Sequence, residues 1–347
     1  MSTLLVGCFT DDSGEGGLHL FEAQGSSLSP VAVATLASPS WLVADGDRVV
    51  AIGHTAVSDV TRVTVSDEGI TLGAARATAG AIGCHGEISP DRSAIAVAHY
   101  ESGSVAVVPL SDESSGGWGD ATVVRFTGHA GVDPDRQDAS HAHQTVWLDD
   151  EHLLVCDLGA DAVRIIRWRD GHLKQVGAIV TTPGFGPRHL VLRRIETGQG
   201  LQTQIAVAGE LDGSVVCFRH LSMDWTSGWD RVSQVPGTLV GGSQPSALRA
   251  LDEHTLVIAN RCINTLGILE WHASGQLVLA DEFDCGGDHP RDVVVHDGDL
   301  WVANQHTGDL CRFTRSDPDD QPCGWRLAER HPVTSASGEG PASMLFR

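Results

Sequence analysis

The stretch Gly184-Phe185-Gly186-Pro187-Arg188-His189-Leu190 decides how this chain reads, because its Pro-Arg step returns as Pro290-Arg291 and similar openings recur elsewhere. Proline fixes φ and has no N–H to donate, so it suits the first residue of a strand. The residue after it is then the first to project from the new strand. Each opening is followed by short runs of Val, Ile, Leu and Ala bounded by Gly, Asp, Ser and Pro, and no segment sustains a helical period.

The repeated unit is a small or proline opening, an apolar strand, a tight acidic turn, a second strand ending in polar residues, and a third strand after a Gly or Asp turn. It is clearest from Cys84 through Ser89-Pro90-Asp91-Arg92 to Ala94-Ile95-Ala96-Val97-Ala98-His99-Tyr100 and then Gly103-Ser104-Val105. Openings at 39, 84, 142, 187, 245, 290 and 341 make seven units, spaced by 45, 58, 45, 58, 45 and 51 residues. Four short strands in about 40–50 residues describe a propeller blade. The last opening, Pro341-Ala342, has room for one strand only, and the N-terminal strands Leu4–Phe9, Leu18–Glu22 and Leu28–Ala34 complete its blade. The expectation is a single all-β domain, residues 1–347, a seven-bladed β-propeller closed by both ends of the chain. Residues 112–120, 131–138 and 317–322 read as loop insertions, and Trp118, Trp225 and Trp229 as packing residues in irregular stretches.

Composition narrows the function. A net charge of −22 excludes a nucleic-acid partner, whose phosphates need a basic face, so an anionic ligand must be held by a local cluster. Lys174 is the sole lysine, and arginine's planar fork suits carboxylate and phosphate. The eight cysteines contain no C-x-x-C pair and read as reduced, mostly buried thiols. Met1-Ser2-Thr3-Leu4-Leu5-Val6-Gly7 has no basic leader region, and there is no long apolar run, so a cytoplasmic protein without membrane contact is expected. Oligomeric state is not legible.

Blade topology returns the start of each inner strand and the end of each second strand to one mouth of the central channel. The inner-strand openings bring His85, His143, Arg188, Ser246 and Arg291 there, and the second-strand ends bring Tyr100, Asp157, Glu210, Arg261 and Gln305. Blades one and seven offer Ser40, His54 and Ala342. Three arginines converging with two histidines and two carboxylates outnumber the acids that would neutralise them, which points to an anion site. His141 and His143, two apart on a strand, could share a metal if His85, Asp157 or Glu210 gave a third ligand, but neighbouring arginines repel a cation. We expect no metal and no cofactor. Cys84 beside His85 is the one thiol–imidazole neighbour pair in this set.

With these residues in place the chain resembles the seven-bladed lactonase family, which includes bacterial propeller-type 6-phosphogluconolactonases and the fungal carboxy-cis,cis-muconate cyclase. The resemblance rests on Ser140-His141-Ala142-His143 with Asp157-Leu158-Gly159, on Gly186-Pro187-Arg188-His189-Leu190, on Asn260-Arg261, and on Pro290-Arg291-Asp292 with Val302-Ala303-Asn304-Gln305. It implies a catalytic set of His143, Arg188, Glu210 and Arg261. His99 stands where the family more often has asparagine, and several acidic turns depart from the family's Pro-x-Gly. The implied activity is hydrolysis of a small anionic lactone, 6-phosphogluconolactone to 6-phosphogluconate in the pentose phosphate pathway, with His85, Arg291, Gln305, Asp157 and Tyr100 binding substrate. The alternatives are a carboxymuconate-type lactonising enzyme, a metal-dependent lactonase, and a non-catalytic scaffold, which would need an apolar rim instead of an arginine cluster.

Overall fold

The computed structural model describes residues 2–347 except 12–13, 15, 26, 47, 67–68, 112–116, 199, 223, 317–323 and 335–338. The insertion expected at 317–322, part of that at 112–120, and Cys323 therefore lie outside the described residues. The remainder forms seven four-stranded antiparallel sheets. Their inner strands are β4 (Pro39–Asp45), β8 (Gly83–Ile88), β12 (Ala142–Trp147), β16 (Pro187–Thr197), β20 (Gln244–Ala250), β24 (Pro290–His296) and β28 (Pro341–Phe346). Each inner strand packs on the next and β28 returns to β4, so the sheets close a ring around a central channel.

The second strands are β5 (Arg48–Gly53), β9 (Ala94–His99), β13 (His152–Asp157), β17 (Gly200–Gly209), β21 (Thr255–Arg261), β25 (Asp299–Asn304) and, in the seventh blade, β1 (Ser2–Cys8). In that blade β1 pairs with β28, as Leu4 opposite Phe346 and Val6 opposite Met344, and β2 (Gly17–Gln24) and β3 (Ser27–Ala34) complete the sheet. The two ends of the chain thus pair side by side, as the repeat arithmetic required.

Each boundary between neighbouring sheets holds its own apolar cluster, seven in all. A second strand serves two of them. In β13, Leu153 and Val155 face the second blade while Leu154 and Cys156 face the fourth. Burial on both faces explains why these strands read as unbroken apolar runs with no polar alternation. Trp118 and Trp225 are buried, and the Trp225 and Trp229 indoles donate to Asp149 and to the Trp225 carbonyl, which is packing as expected. Of the seven described cysteines only Cys262 is exposed, and all seven are free thiols.

The opening stretch shows how a blade begins. Gly186 has φ +63°, and a Cβ there would meet Leu211 Cγ at 2.5 Å, so only glycine makes this turn without displacing Leu211. Phe185 is fully buried in the cluster between blades three and four, and Pro187 then starts β16.

Candidate active site

The site is built from two positions repeated in every blade. At the start of all seven inner strands the pairing with the second strand slips, leaving one extra residue on the inner strand. Such a bulge re-aims the extra side chain. The bulged residues are Ser40, Cys84, His143, Arg188, Arg291 and Ala342, and in blade five Ser246 and Ala247 together stand opposite Ala259. The second position follows the second-strand residue that pairs with the residue before the bulge, and it holds His54, Tyr100, Leu158, Glu210, Arg261, Gln305 and Phe9; in blade five alone the pairing runs one residue further, Gln244 opposite Arg261.

Glu210 is the centre. Its Oε2 lies 2.7 Å from Arg188 Nε and 2.9 Å from Arg261 Nη2, and its Oε1 meets Arg136 Nη2. Arg188 also donates to the Ser246 carbonyl, and Arg261 Nε donates to the Gln244 carbonyl at 3.0 Å. Arg291 meets the Gln305 amide oxygen at 3.2 Å and lies over the Phe9 ring at 4.7 Å, with no carboxylate within ion-pair distance among the described residues. Three guanidinium groups thus meet one carboxylate, with a fourth beside them, in a chain of net charge −22.

Burial alone would push the Glu210 carboxyl up, but Arg261, Arg188 and Arg136 outweigh it and hold the group far below the usual carboxylate range. Burial, then Arg261, pulls Arg188 down to about 9 and Arg291 to about 10, which leaves both charged at neutral pH. His143 is 6% exposed, and its Nδ1 has no hydrogen-bond partner among the described residues. Burial, then Arg188, holds this imidazole well below 6.5, against an opposing pull from Glu210, so it is neutral and free to accept a proton.

The structure brings His143, Arg188, Glu210, Arg261, Arg291, Gln305 and Tyr100 to this mouth. Tyr100 takes a hydrogen bond from Arg136 Nε at 3.1 Å, and its ring lies 6.0 Å from that of His143. Asp157 is not among them. It closes the pairing, opposite Ala142, one residue short of the position that faces the channel, and Leu158 stands there instead. A one-residue offset turns a side chain to the other face. Both Asp157 oxygens are taken inside the blade, by Ser140 Oγ at 2.5 Å, the His141 N–H at 2.9 Å and Arg164 Nε at 2.6 Å.

His85 is displaced in the same way. The bulged residue of blade two is Cys84, and His85 follows it, level with His189 and Trp41. It lines a channel cavity of about 490 Å³ that also touches Glu87 and Arg249. The Cys84 thiol, pushed up to about 12 by burial, lies against the Ala142 and His143 carbonyls. His141 and His143 do not converge either. His141 lies outside β12, its Nδ1 is 3.0 Å from the Tyr100 carbonyl and its Nε2 3.0 Å from Asp138. No group of three or more His, Cys, Asp or Glu side chains among the described residues could hold a metal ion.

Arg136 is a site residue that the repeat reading passed over, and His189, level with His85, packs behind His143. His189 is 2% exposed with its ring 5.5 Å from that of His143, and it sits in the opening stretch itself, one residue beyond the collected position. Arg136 belongs to the loop at 131–138, which no blade periodicity reaches. Its only sequence signal is a lone arginine among acids shortly before the strand that carries His143.

Comparison with known proteins agrees with this architecture. Over 241 residues the chain is 28% identical to a 6-phosphogluconolactonase of Bacillus subtilis, an alignment covering 67% of this chain and 66% of that protein. The matches thus span about two thirds of the length of the first curated relatives. A periplasmic gluconolactonase of Pseudomonas aeruginosa superposes with a TM-score of 0.83 at 25% identity, covering 99% of this chain and 98% of the other. A Lactobacillus plantarum protein has the same fold, with a TM-score of 0.85 at 21% identity over the full length of both chains. The description "Lactonase, 7-bladed beta-propeller" matches residues 3–321. With most of its length matched and its blades closing as the repeats require, the chain belongs to the seven-bladed β-propeller lactonase family.

Proposed function

We propose that this chain hydrolyses a phosphorylated sugar lactone, 6-phosphogluconolactone to 6-phosphogluconate, at the mouth organised by Glu210. The observation that carries the reading is a neutral buried imidazole beside three guanidiniums that share one carboxylate, with a fourth, Arg291, close by. The name of the Bacillus relative supports a phosphorylated sugar lactone, and that of the Pseudomonas structure, a gluconolactonase, supports sugar lactones more broadly. In the cell, this reaction is a step of the pentose phosphate pathway, and the cytoplasm is the proposed location. No helix among the described residues is long and apolar enough to cross a membrane.

In the proposed reaction a water oxygen bonds to the lactone carbonyl carbon while His143 takes its proton. The carbonyl oxygen becomes an oxyanion held by Arg188 and Arg261, donors worth about 3 kcal/mol each where water is excluded. Collapse breaks the bond from carbonyl carbon to ring oxygen, the ring oxygen receives the proton from imidazolium, and the acid product releases one proton to solvent. Glu210 fixes the guanidinium planes and offsets the charge that His143 gains, and Arg291 with Gln305 holds the distal phosphate.

The test is loss of lactone from freshly made 6-phosphogluconolactone near pH 6.5, where spontaneous hydrolysis is slow. Wild type should accelerate it, and Arg188→Ala should keep its melting temperature within a few degrees yet lose at least about tenfold in kcat/KM. Near-wild-type turnover by that variant would remove Arg188 from the mechanism.

A further inference from the structure

Arg136 is set apart from the other arginines of the mouth by where it comes from and how far it is exposed. The Arg188 side chain is 3% exposed and Arg261 8%, whereas Arg136 is 32% exposed. It does not belong to a blade strand. Its loop is nevertheless built to hold it: Asp133 Oδ1 accepts the N–H groups of Asp135 and Arg136, and Gln137 N–H donates to the Asp133 carbonyl. Gln137, fully buried, ties the loop to blade three through the Leu158 carbonyl at 3.0 Å and Asp161 Oδ1 at 2.7 Å. From that platform Arg136 reaches across to blade four, where Nη2 meets Glu210, and to blade two, where Nε donates to the Tyr100 hydroxyl.

Glu210 is already paired with Arg188 and Arg261, so Arg136 adds a positive charge that this carboxylate does not need. Two of the guanidinium's five N–H donors point at Glu210 and Tyr100, and donors remain toward the opening. The difference in burial separates the arginines by the chemistry they suit. Deeply buried, water-poor arginines suit a carbonyl oxygen that becomes charged, and the one that is about a third exposed suits a group that is charged before it arrives.

Building on the lactonase reading above, we propose that Arg136 is the charge-specificity residue of this site: it receives the distal phosphate of the substrate at the rim and selects phosphorylated over unphosphorylated sugar lactones. The carboxylate and phenol that hold the guanidinium fix its plane, so that the phosphate meets an oriented fork. Arg291, the inner phosphate partner, lies on blade six, so one arginine comes at the anion from a blade strand and the other from a loop.

The experiment compares kcat/KM for 6-phosphogluconolactone and glucono-δ-lactone in wild type, Arg136→Ala and Arg136→Lys, with inorganic phosphate as an independent probe by calorimetry and as an inhibitor. Wild type should prefer the phosphorylated lactone. Arg136→Ala should cut that preference at least about tenfold, mainly through KM, and weaken phosphate at least about tenfold, while Arg136→Lys restores part of both. Melting curves serve as the folding control, since the loop's anchors are Asp133 and Gln137. A preference unchanged within about twofold in Arg136→Ala, or a wild type that favours the neutral lactone, overturns the inference while leaving lactonase activity standing. A wild type that hydrolyses neither lactone sinks the lactonase reading instead. Phosphate binding then still decides for Arg136: equal affinity in wild type and Arg136→Ala overturns its role as an anion receptor.

Discussion

Asp157 and Glu210 show how little residue type says about role. Both are buried carboxylates at the end of a second strand and both touch arginine. Asp157 spends its oxygens on a hydroxyl, a backbone N–H and a single guanidinium, all within its own blade and the loop leading into it. Glu210 gathers guanidiniums from blade four, blade five and a loop. Removing each should therefore fail differently. Asp157→Ala strands the Arg164 charge and an N–H in the interior, at a cost of about 3–5 kcal/mol seen as a lower denaturant midpoint, while KM of the folded fraction moves by less than about twofold. Should Asp157→Ala instead raise KM tenfold or more at unchanged stability, Asp157 contacts substrate and the assignment to blade packing is wrong.

At the scale of elements, the strand pattern is legible because the repeat imposes it: the seven openings inferred from sequence fall within one residue of the observed inner-strand starts. What the pattern hides is the bulge. Pairing slips by one residue at each opening, and nothing in the apolar run announces which residue is extra. Arg188 and Arg291 follow prolines, so the proline marks the position for them. Blade two opens Gly83-Cys84-His85 with no proline, and there the chemically more interesting histidine displaced the true occupant, Cys84. Arg136 was illegible for another reason, since it lies in a loop that no repeat constrains. The closing strand allows a separate check. Met344 on β28 is buried with Leu4, Val6 and Trp301, and the Phe346 ring stacks on His296 at 3.9 Å. Met344→Asp places an unpaired charge in the boundary between blades six and seven and should cost about 3 kcal/mol or more, whereas Leu327→Asp on the exposed outer strand β27 (Trp325–Pro332) should cost little. Equal midpoints for the two variants would mean that this boundary contributes little to holding the ring shut.

The whole molecule carries its own pH limit, set by how many imidazoles the ring encloses. His85, His143 and His189 are held well below 6.5 by burial first and by arginine fields second, burial pulls His54 and His99 down to about 4, and burial, then Arg261, pulls His289 down to about 3. The unfolded chain protonates these groups near 6.5 while the folded one does not, so it binds more protons and stability falls as pH drops below 6.5. Each fully titrating group contributes up to about 1.4 kcal/mol per pH unit. Glu87 works the other way: burial raises it to about 7, so the folded state binds the extra proton and this one group adds stability as pH falls from 7 toward 4.5. Six against one leaves a steep net loss, and a fold worth about 5–15 kcal/mol is consumed within about one to two pH units. Denaturant midpoints measured from pH 7.5 to 5 should therefore fall steeply, with net proton uptake on unfolding, and His99→Asn should flatten the slope because it removes one titrating group away from the mouth. A midpoint that stays level over that interval would show that these imidazoles are not neutral in the fold. The same burial that keeps His143 an unprotonated base below pH 6.5 thus makes unfolding, ahead of protonation of the base, the event that ends activity in acid.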